Sequence, residues 1–174
     1  SASSISTSIA NTCSFVNSVT ANHPVWMPTT DDQGRVEPPL VSDEVGMLTS
    51  FLDYQRATLE WKCRGLDAAG LSATTARSSM TLGGILKHMA LVEDVWFSLY
   101  LRDQPRCAPF DAIDWKSDPD WEWRSAASDS PEALRTMWSD SVDRSRAFFA
   151  EAVADGGLDH LAKRLRRDGA NHSL

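Results

Sequence analysis

The chain has 174 residues, 42% of them hydrophobic and 24% charged, which fits one globular domain with one packed core. Lys and Arg number 17 against 24 Asp and Glu, a formal net charge of -7, and this excludes the basic surface that a nucleic-acid partner demands. No stretch nears the roughly 20 apolar residues of a membrane span, and the N-terminus lacks the basic and apolar regions of a signal peptide, so the chain reads as cytoplasmic with no membrane partner.

Residues 1–40 differ in composition from all that follows. Ser and Thr dominate, Pro24, Pro28, Pro38 and Pro39 interrupt any helix, and Ile5, Ile9, Phe15, Val16 and Val19 are too few to form a core. This stretch reads as a disordered or loosely draped leader, with Trp26 and Met27 making at most a local contact, and a helical domain follows over residues 41–174. Cys13, Cys63 and Cys107 are odd in number, far apart and in no CxxC pair, so they read as free thiols.

From Val41 the periodicity is helical. Ser42 suits an N-cap, Asp43 and Glu44 complement the helix dipole, and Val45, Leu48, Leu52, Leu59, Cys63 and Leu66 recur on one face, predicting a helix over 43–64. Gly65, Gly70 and the polar run 72–79 form the connection, with room for one helical turn at Leu66–Leu71. A second helix is predicted over 81–102, with Leu82, Ile85, Met89, Val92 and Trp96 on one side and Pro105 and Pro109 forbidding continuation. The connector Asp103–Asp129 is acidic but holds Trp115, Trp121 and Trp123, which favours a folded lid on the bundle over a mobile linker. Ser130, Pro131 and Glu132 then start a third helix over 131–154, with Leu134, Met137, Trp138, Phe148, Phe149 and Ala152 on its apolar face and Gly156-Gly157 ending it. No β pattern intervenes, so the class is all-α, an up-and-down bundle in which the stretch after Gly157 is too short for a full fourth helix. Such a bundle exposes an apolar strip drawn from Leu48, Leu52, Met89, Trp96, Trp138 and Phe148.

The familiar phosphate, dinucleotide, zinc-protease and nucleophile-elbow signatures are absent. His88 is the informative oddity. Its neighbours on the helix surface are Thr81, Gly84, Ile85, Leu91, Val92, Val95 and Leu99, while Lys87, Glu93 and Asp94 lie elsewhere. On position alone it is either a core histidine with satisfied nitrogens or a metal ligand, and the second role needs two further ligands. Gly83 and Gly84 weaken the first turn of that helix and point to close packing there, or to a ligand near the exposed amides. Gln55 and Arg56 flank the first helix's stripe, where they can line a central cavity, and Asp53 can pair with Arg56 on the surface. Ser141 and Ser145 permit close helix approach, and Cys63 reads as an inert buried thiol.

Several motifs together carry a resemblance: Leu52-Asp53-Tyr54-Gln55-Arg56-Ala57-Thr58-Leu59, Ser79-Met80-Thr81-Leu82-Gly83-Gly84-Ile85-Leu86-Lys87-His88, Glu93 with Trp96-Phe97, and Asp120-Trp121-Glu122-Trp123-Arg124. In this order they resemble the bacterial DinB-like superfamily, and more closely its mini-circle protein branch, over about Glu37 to Leu174. The resemblance implies a four-helix bundle, usually dimeric, and a divalent metal such as Zn or Ni. One histidine of the second helix and two ligands of the last helix hold that metal, and relatives are thiol transferases or isomerases using mycothiol, bacillithiol or glutathione. His88 matches the second-helix ligand, whereas His160 and His172 match neither of the other two. Asn171-His172-Ser173-Leu174 falls where the family's last helix begins, so the metal site reads as incomplete. The expectation is therefore a metal-dependent thiol transferase or isomerase acting on a small molecule, with His88 as metal ligand and Gln55, Arg56, Gly84, Trp121 and Trp123 as pocket-lining residues. A non-catalytic bundle that self-associates or binds a partner helix is the alternative.

Overall fold

The structure is a computed structural model that describes residues 28–74, 78–166 and 168–173. Of the expected 1–40 leader, residues 1–27 with Trp26 and Met27 lie outside the described residues, while residues 28–40 are described and, over 28–37, form an ordered hairpin held to the first helix. Among the described residues the chain is helical, with isolated β-bridges and no strand of a sheet.

Helix α1 spans Glu44–Cys63. Its N-cap is Asp43 and not Ser42, because the Asp43 carboxylate accepts from the Gly46 N–H at 2.7 Å. Helix α2 is the short turn Ala68–Ser72, capped by Asp67. Helix α3 runs Leu82–Glu93 under a Thr81 cap and continues without a break as a π-helix over Asp94–Leu101. The connector folds as expected of a lid: a 3-10 turn at Phe110–Ala112, helix α4 at Trp121–Ser125 and a 3-10 turn at Ala126–Ser128. Helix α5, Pro131–Gly156, starts on the Ser130 hydroxyl, which accepts from Ala133 N–H at 3.1 Å, and stops where Gly157 takes φ +65°.

Helix α3 lies at the centre. Leu86, Ala90 and Leu91 meet Leu134, Trp138 and Val142 of α5, and Phe110, Ala126, Leu71 and Cys63 close the core around them. The two glycines of α3 have the packing reason that their positions suggested. A Cβ on Gly83 would lie 3.2 Å from both Leu134 Cδ1 and the Leu71 carbonyl, and one on Gly84 3.0 Å from the Trp123 ring. Ser141 and Ser145 are likewise buried where α5 crosses α3, and Ser145 donates to the Ser141 carbonyl at 2.9 Å.

Helix α1 is exposed along the apolar strip expected of it at Leu48 and Leu52. Of its 20 residues only Arg56 and Cys63 are buried, while Leu48 is 54% and Leu52 39% exposed. The amphipathic stripe is real, but the described chain supplies no helix to cover it. Trp138, counted with the exposed strip on sequence grounds, is instead core at 5% exposure, and Met89 and Phe148 are half-buried.

Before α1, residues 28–37 form a tight hairpin with a Thr30–Val36 bridge and Gly34 at φ +78°. Arg35 fastens it to α1: its guanidinium pairs with Asp31 at 2.6 Å, donates to Thr58 at 2.7 Å and lies over the rings of Tyr54 and Trp61. Burial pushes the Asp31 carboxyl up, but hydrogen bonds from Arg35, Gln33 and Tyr54 outweigh it and hold the group at about 2, below its ordinary 3.8. A depressed carboxylate stabilises the hairpin fully above its unfolded pKa, and the contribution disappears as pH falls from about 4 towards 2. A carboxyl NMR titration of Asp31 is therefore expected to have its midpoint near 2, with the shifts of Tyr54 following it. A midpoint near 4 would show that the clamp does not form.

After α5 a 3-10 turn, Gly157–Asp159, leads into a segment whose two ends pair, Leu161 bridging Ser173. Lys163 N–H donates to the Leu101 carbonyl at 3.1 Å and Arg164 N–H to the Tyr100 carbonyl at 3.0 Å. No helix among the described residues is long and apolar enough to cross a membrane.

Candidate functional site

His88 lies on the second turn of α3, one turn beyond Gly84, and the lid helix α4 docks on that edge. Trp123 fills the space that Gly84 leaves and stacks on the His88 ring, with centroids 4.5 Å apart and planes 25° from parallel. Next to it the Glu122 side chain, only 5% exposed, brings Oε1 to 3.0 Å from His88 Nδ1. A carboxylate can only accept, so this contact places the proton on Nδ1 and leaves Nε2 for other partners. Glu122 Oε2 is buried with no hydrogen-bond partner, so the second carboxylate oxygen remains open to a donor beside the imidazole.

The lid is fastened by Lys87, which is 2% exposed. Its Nζ donates to Ser125 Oγ at 2.8 Å and to Asp129 Oδ2 at 2.6 Å, and it sits 4.0 Å over the Trp121 ring. Trp121 in turn meets Phe110 and Trp115 edge-on. Trp121 is thus part of the lid's anchorage, while Trp123 and Gly84 are neighbours of His88.

A second polar constellation joins α1 to α3. Arg56 donates through Nε and Nη2 to the two oxygens of Glu93 at 2.7 and 2.6 Å, and through Nη1 to Asp53 at 2.9 Å. Burial pushes the guanidinium down, but the hydrogen bonds and charge of Glu93 prevail and raise its pKa. The expected Asp53 contact is present, yet the principal partner is Glu93. Above this pair a cleft of about 350 Å³ opens between the two helices, with exposed Gln55 on its rim and Leu59, Leu82, Ile85 and Met89 along its walls. His88 lies about 100° around α3 from Met89.

Lys87, Glu93, Asp94 and Glu122 were missed as interior groups, and all are under 5% exposed. Each is paired with residues remote in sequence, so local spacing carries no sign of it. The thiols of Cys63 and Cys107 are both pushed up by burial, which makes neither an activated nucleophile.

Among the described residues the donors at His88 do not by themselves make a closed metal site. Zn²⁺ takes at least three protein ligands, and Ni²⁺ asks for several nitrogen or oxygen donors. Among the described residues no group of three His, Cys, Asp or Glu converges, and the Glu122 oxygen nearest His88 is engaged by the ring's own Nδ1. What the geometry does show is an imidazole oriented by a carboxylate, the support a metal-binding histidine commonly has.

The chain is a DinB-like all-α domain, with a histidine on the second turn of its central helix beside a tryptophan-rich lid. Residues 47–171, well over half of the chain, match the family model of mycothiol S-transferases, and the chain belongs to that family. No match was found among curated proteins or among solved structures.

Proposed function

We propose that this chain takes part in thiol S-transfer, with a low-molecular-weight thiol such as mycothiol as co-substrate and the His88 surface as the reaction centre. The observation that carries this reading is the family match over residues 47–171 together with the His88, Glu122 and Trp123 cluster lying inside it. In such a transfer the thiol gives its proton to a base, and its sulfur bonds to an electrophilic carbon. As that bond forms, the carbon–halogen bond of an alkyl halide, or one C–O bond of an epoxide, breaks and the halide or alkoxide leaves with the electron pair. Glu122 and Trp123 hold the imidazole in one tautomer and one plane, so that Nε2 faces whatever binds there. The resemblance also implies a divalent ion, Zn²⁺ or Ni²⁺. The described residues supply one histidine donor for it, and no step is assigned to that ion.

The test is consumption of mycothiol by the purified chain in the presence of a small alkyl halide or epoxide, read as loss of free thiol. His88→Ala is expected to lower the rate about 100-fold and Glu122→Gln about 10-fold. A wild-type rate equal to the uncatalysed one would overturn the reading. In parallel, metal content after purification without chelators is expected to be well below one ion per chain and little changed by His88→Ala. One ion per chain, lost in that variant, would show that further ligands complete the site.

A second reading, a non-catalytic bundle that engages another protein surface, is favoured by one observation: the apolar stripe of α1 left bare in the described structure.

A further inference from the structure

Glu122 carries a carboxylate oxygen that nothing in the described chain engages. Its side chain is 5% exposed, Oε1 lies 3.0 Å from His88 Nδ1, and Oε2 is buried with no hydrogen-bond partner among the described residues. Buried polar atoms without a partner are rare in folded chains, and one that belongs to a charged group costs more than a neutral one. The neighbouring cations do not relieve it. Lys87 directs its Nζ to Asp129 Oδ2 at 2.6 Å and Ser125 Oγ at 2.8 Å, and Arg124 pairs with Asp118. The imidazole in front of the carboxylate is more open, with its side chain 36% exposed.

A ligand resting on the exposed edge of His88 is therefore the group best placed to complete Glu122. A carboxylate oxygen only accepts, so it takes an N–H or an O–H. An amide N–H is a donor and nothing else, whereas a hydroxyl also turns lone pairs towards the carboxylate. In a thiol of the form S–C–C–N–H the donor lies close beside the sulfur, so both can meet the His88 and Glu122 pair together. We propose that Glu122 is a specificity-determining residue of this site, and that its Oε2 accepts an amide N–H of the thiol co-substrate. A site built around such a donor rejects the analogue that lacks it, because the carboxylate is then left unpaired. Oε2 is closed off in the observed position of the lid, so α4 shifts as the ligand enters, and the new hydrogen bond offsets the cost of that shift. The nature of the ligand rests on the thiol-transfer reading, but recognition does not need turnover and is measured without it.

Two thiols that differ in one group test the proposal: N-acetylcysteamine, with the amide N–H, and 2-mercaptoethyl acetate, with an ester oxygen in its place. Each is titrated into the full chain with no electrophile present, and binding is followed through the His88 imidazole signals in nitrogen-correlated NMR spectra. The wild type is expected to bind the amide about 30-fold more tightly, as for a hydrogen bond to a charged group. Glu122→Gln keeps the shape and leaves one oxygen to accept from His88 Nδ1, but sets an NH2 where Oε2 was. In that variant the preference for the amide is expected to vanish, with helix content unchanged by circular dichroism. Equal affinities in the wild type overturn the proposal, and mean that an ordered water or another segment of the chain already satisfies Oε2. A preference that survives in Glu122→Gln overturns it as well, as does an amide thiol that does not bind at all. A preference that depends on Glu122, found together with no catalysed loss of thiol, sinks the transfer reading and leaves the recognition by Glu122 standing.

Discussion

Glu93→Ala is expected to destabilise the chain by about 3–5 kcal/mol, the range for leaving one member of a buried ion pair without its partner. Arg56 is 7% and Glu93 5% exposed at the side chain, and the two share a bidentate contact with both N–O distances under 2.8 Å. Removing Glu93 strands a guanidinium between α1 and α3, where Asp53 alone, itself 44% exposed, remains to pair with it. The pair variant Arg56→Met, Glu93→Leu is expected to stay within about 1 kcal/mol of wild type, since apolar residues of similar volume substitute well for a buried pair. Urea unfolding of the three proteins decides the matter. A single variant that loses less than about 1 kcal/mol would mean that α1 is not held to α3 in this way.

Lys87→Ala is expected to cost about 3 kcal/mol and to loosen the lid. The change empties a fully buried site, strands Asp129 and removes the cation from the face of Trp121. Tryptophan emission should shift to the red as Trp121 and Trp123 gain water. The thiol-transfer rate should fall with it, because Glu122 and Trp123 reach His88 only through the lid. Lys87→Met keeps the volume and the apolar stem, and is expected to cost less than half as much. Unchanged emission in Lys87→Ala would separate the lysine from the lid and refute its role as the fastening.

The helices were readable because their signals are local. Ser130-Pro131-Glu132 and Gly156-Gly157 bracket α5 within two residues of the observed ends, and apolar spacing found α1 and α3. The π-helical turn at Asp94 was not readable, since its apolar run looks the same whether carbonyls bond four or five residues on. Nor was the burial of Lys87, Glu93 and Asp94, which a helical wheel sets apart from the apolar stripe. Wheels assume one wet face, and α3 is enclosed by α5, the lid and α1. His88 stood out by its place among apolar residues, but Glu122 did not. Its partner lies 34 residues upstream, and a lone acid between two tryptophans gives no local hint of where it points. The stripe of α1 was read as amphipathic and bare at Leu48 and Leu52, as it is in the fold, whereas Trp138, placed in the same strip, turns inward to the core because α5 packs it against α3.

The pairing of the chain's last described segment with the end of the π-helix changes what kind of element α3 is. A helix ordinarily closes its final carbonyls with its own following residue, a glycine or a turn. Here the carbonyls of Tyr100 and Leu101 are satisfied by the amides of Arg164 and Lys163, residues that a ribosome adds long after α3 itself. The central helix can nucleate early around Leu86 and Ala90, but its far end waits for residues 163 and 164 before it is finished. Amide exchange at the carboxyl end of the π-helix should therefore report on the docking of the tail, while exchange around His88 reports on the lid, two clocks on one continuous helix.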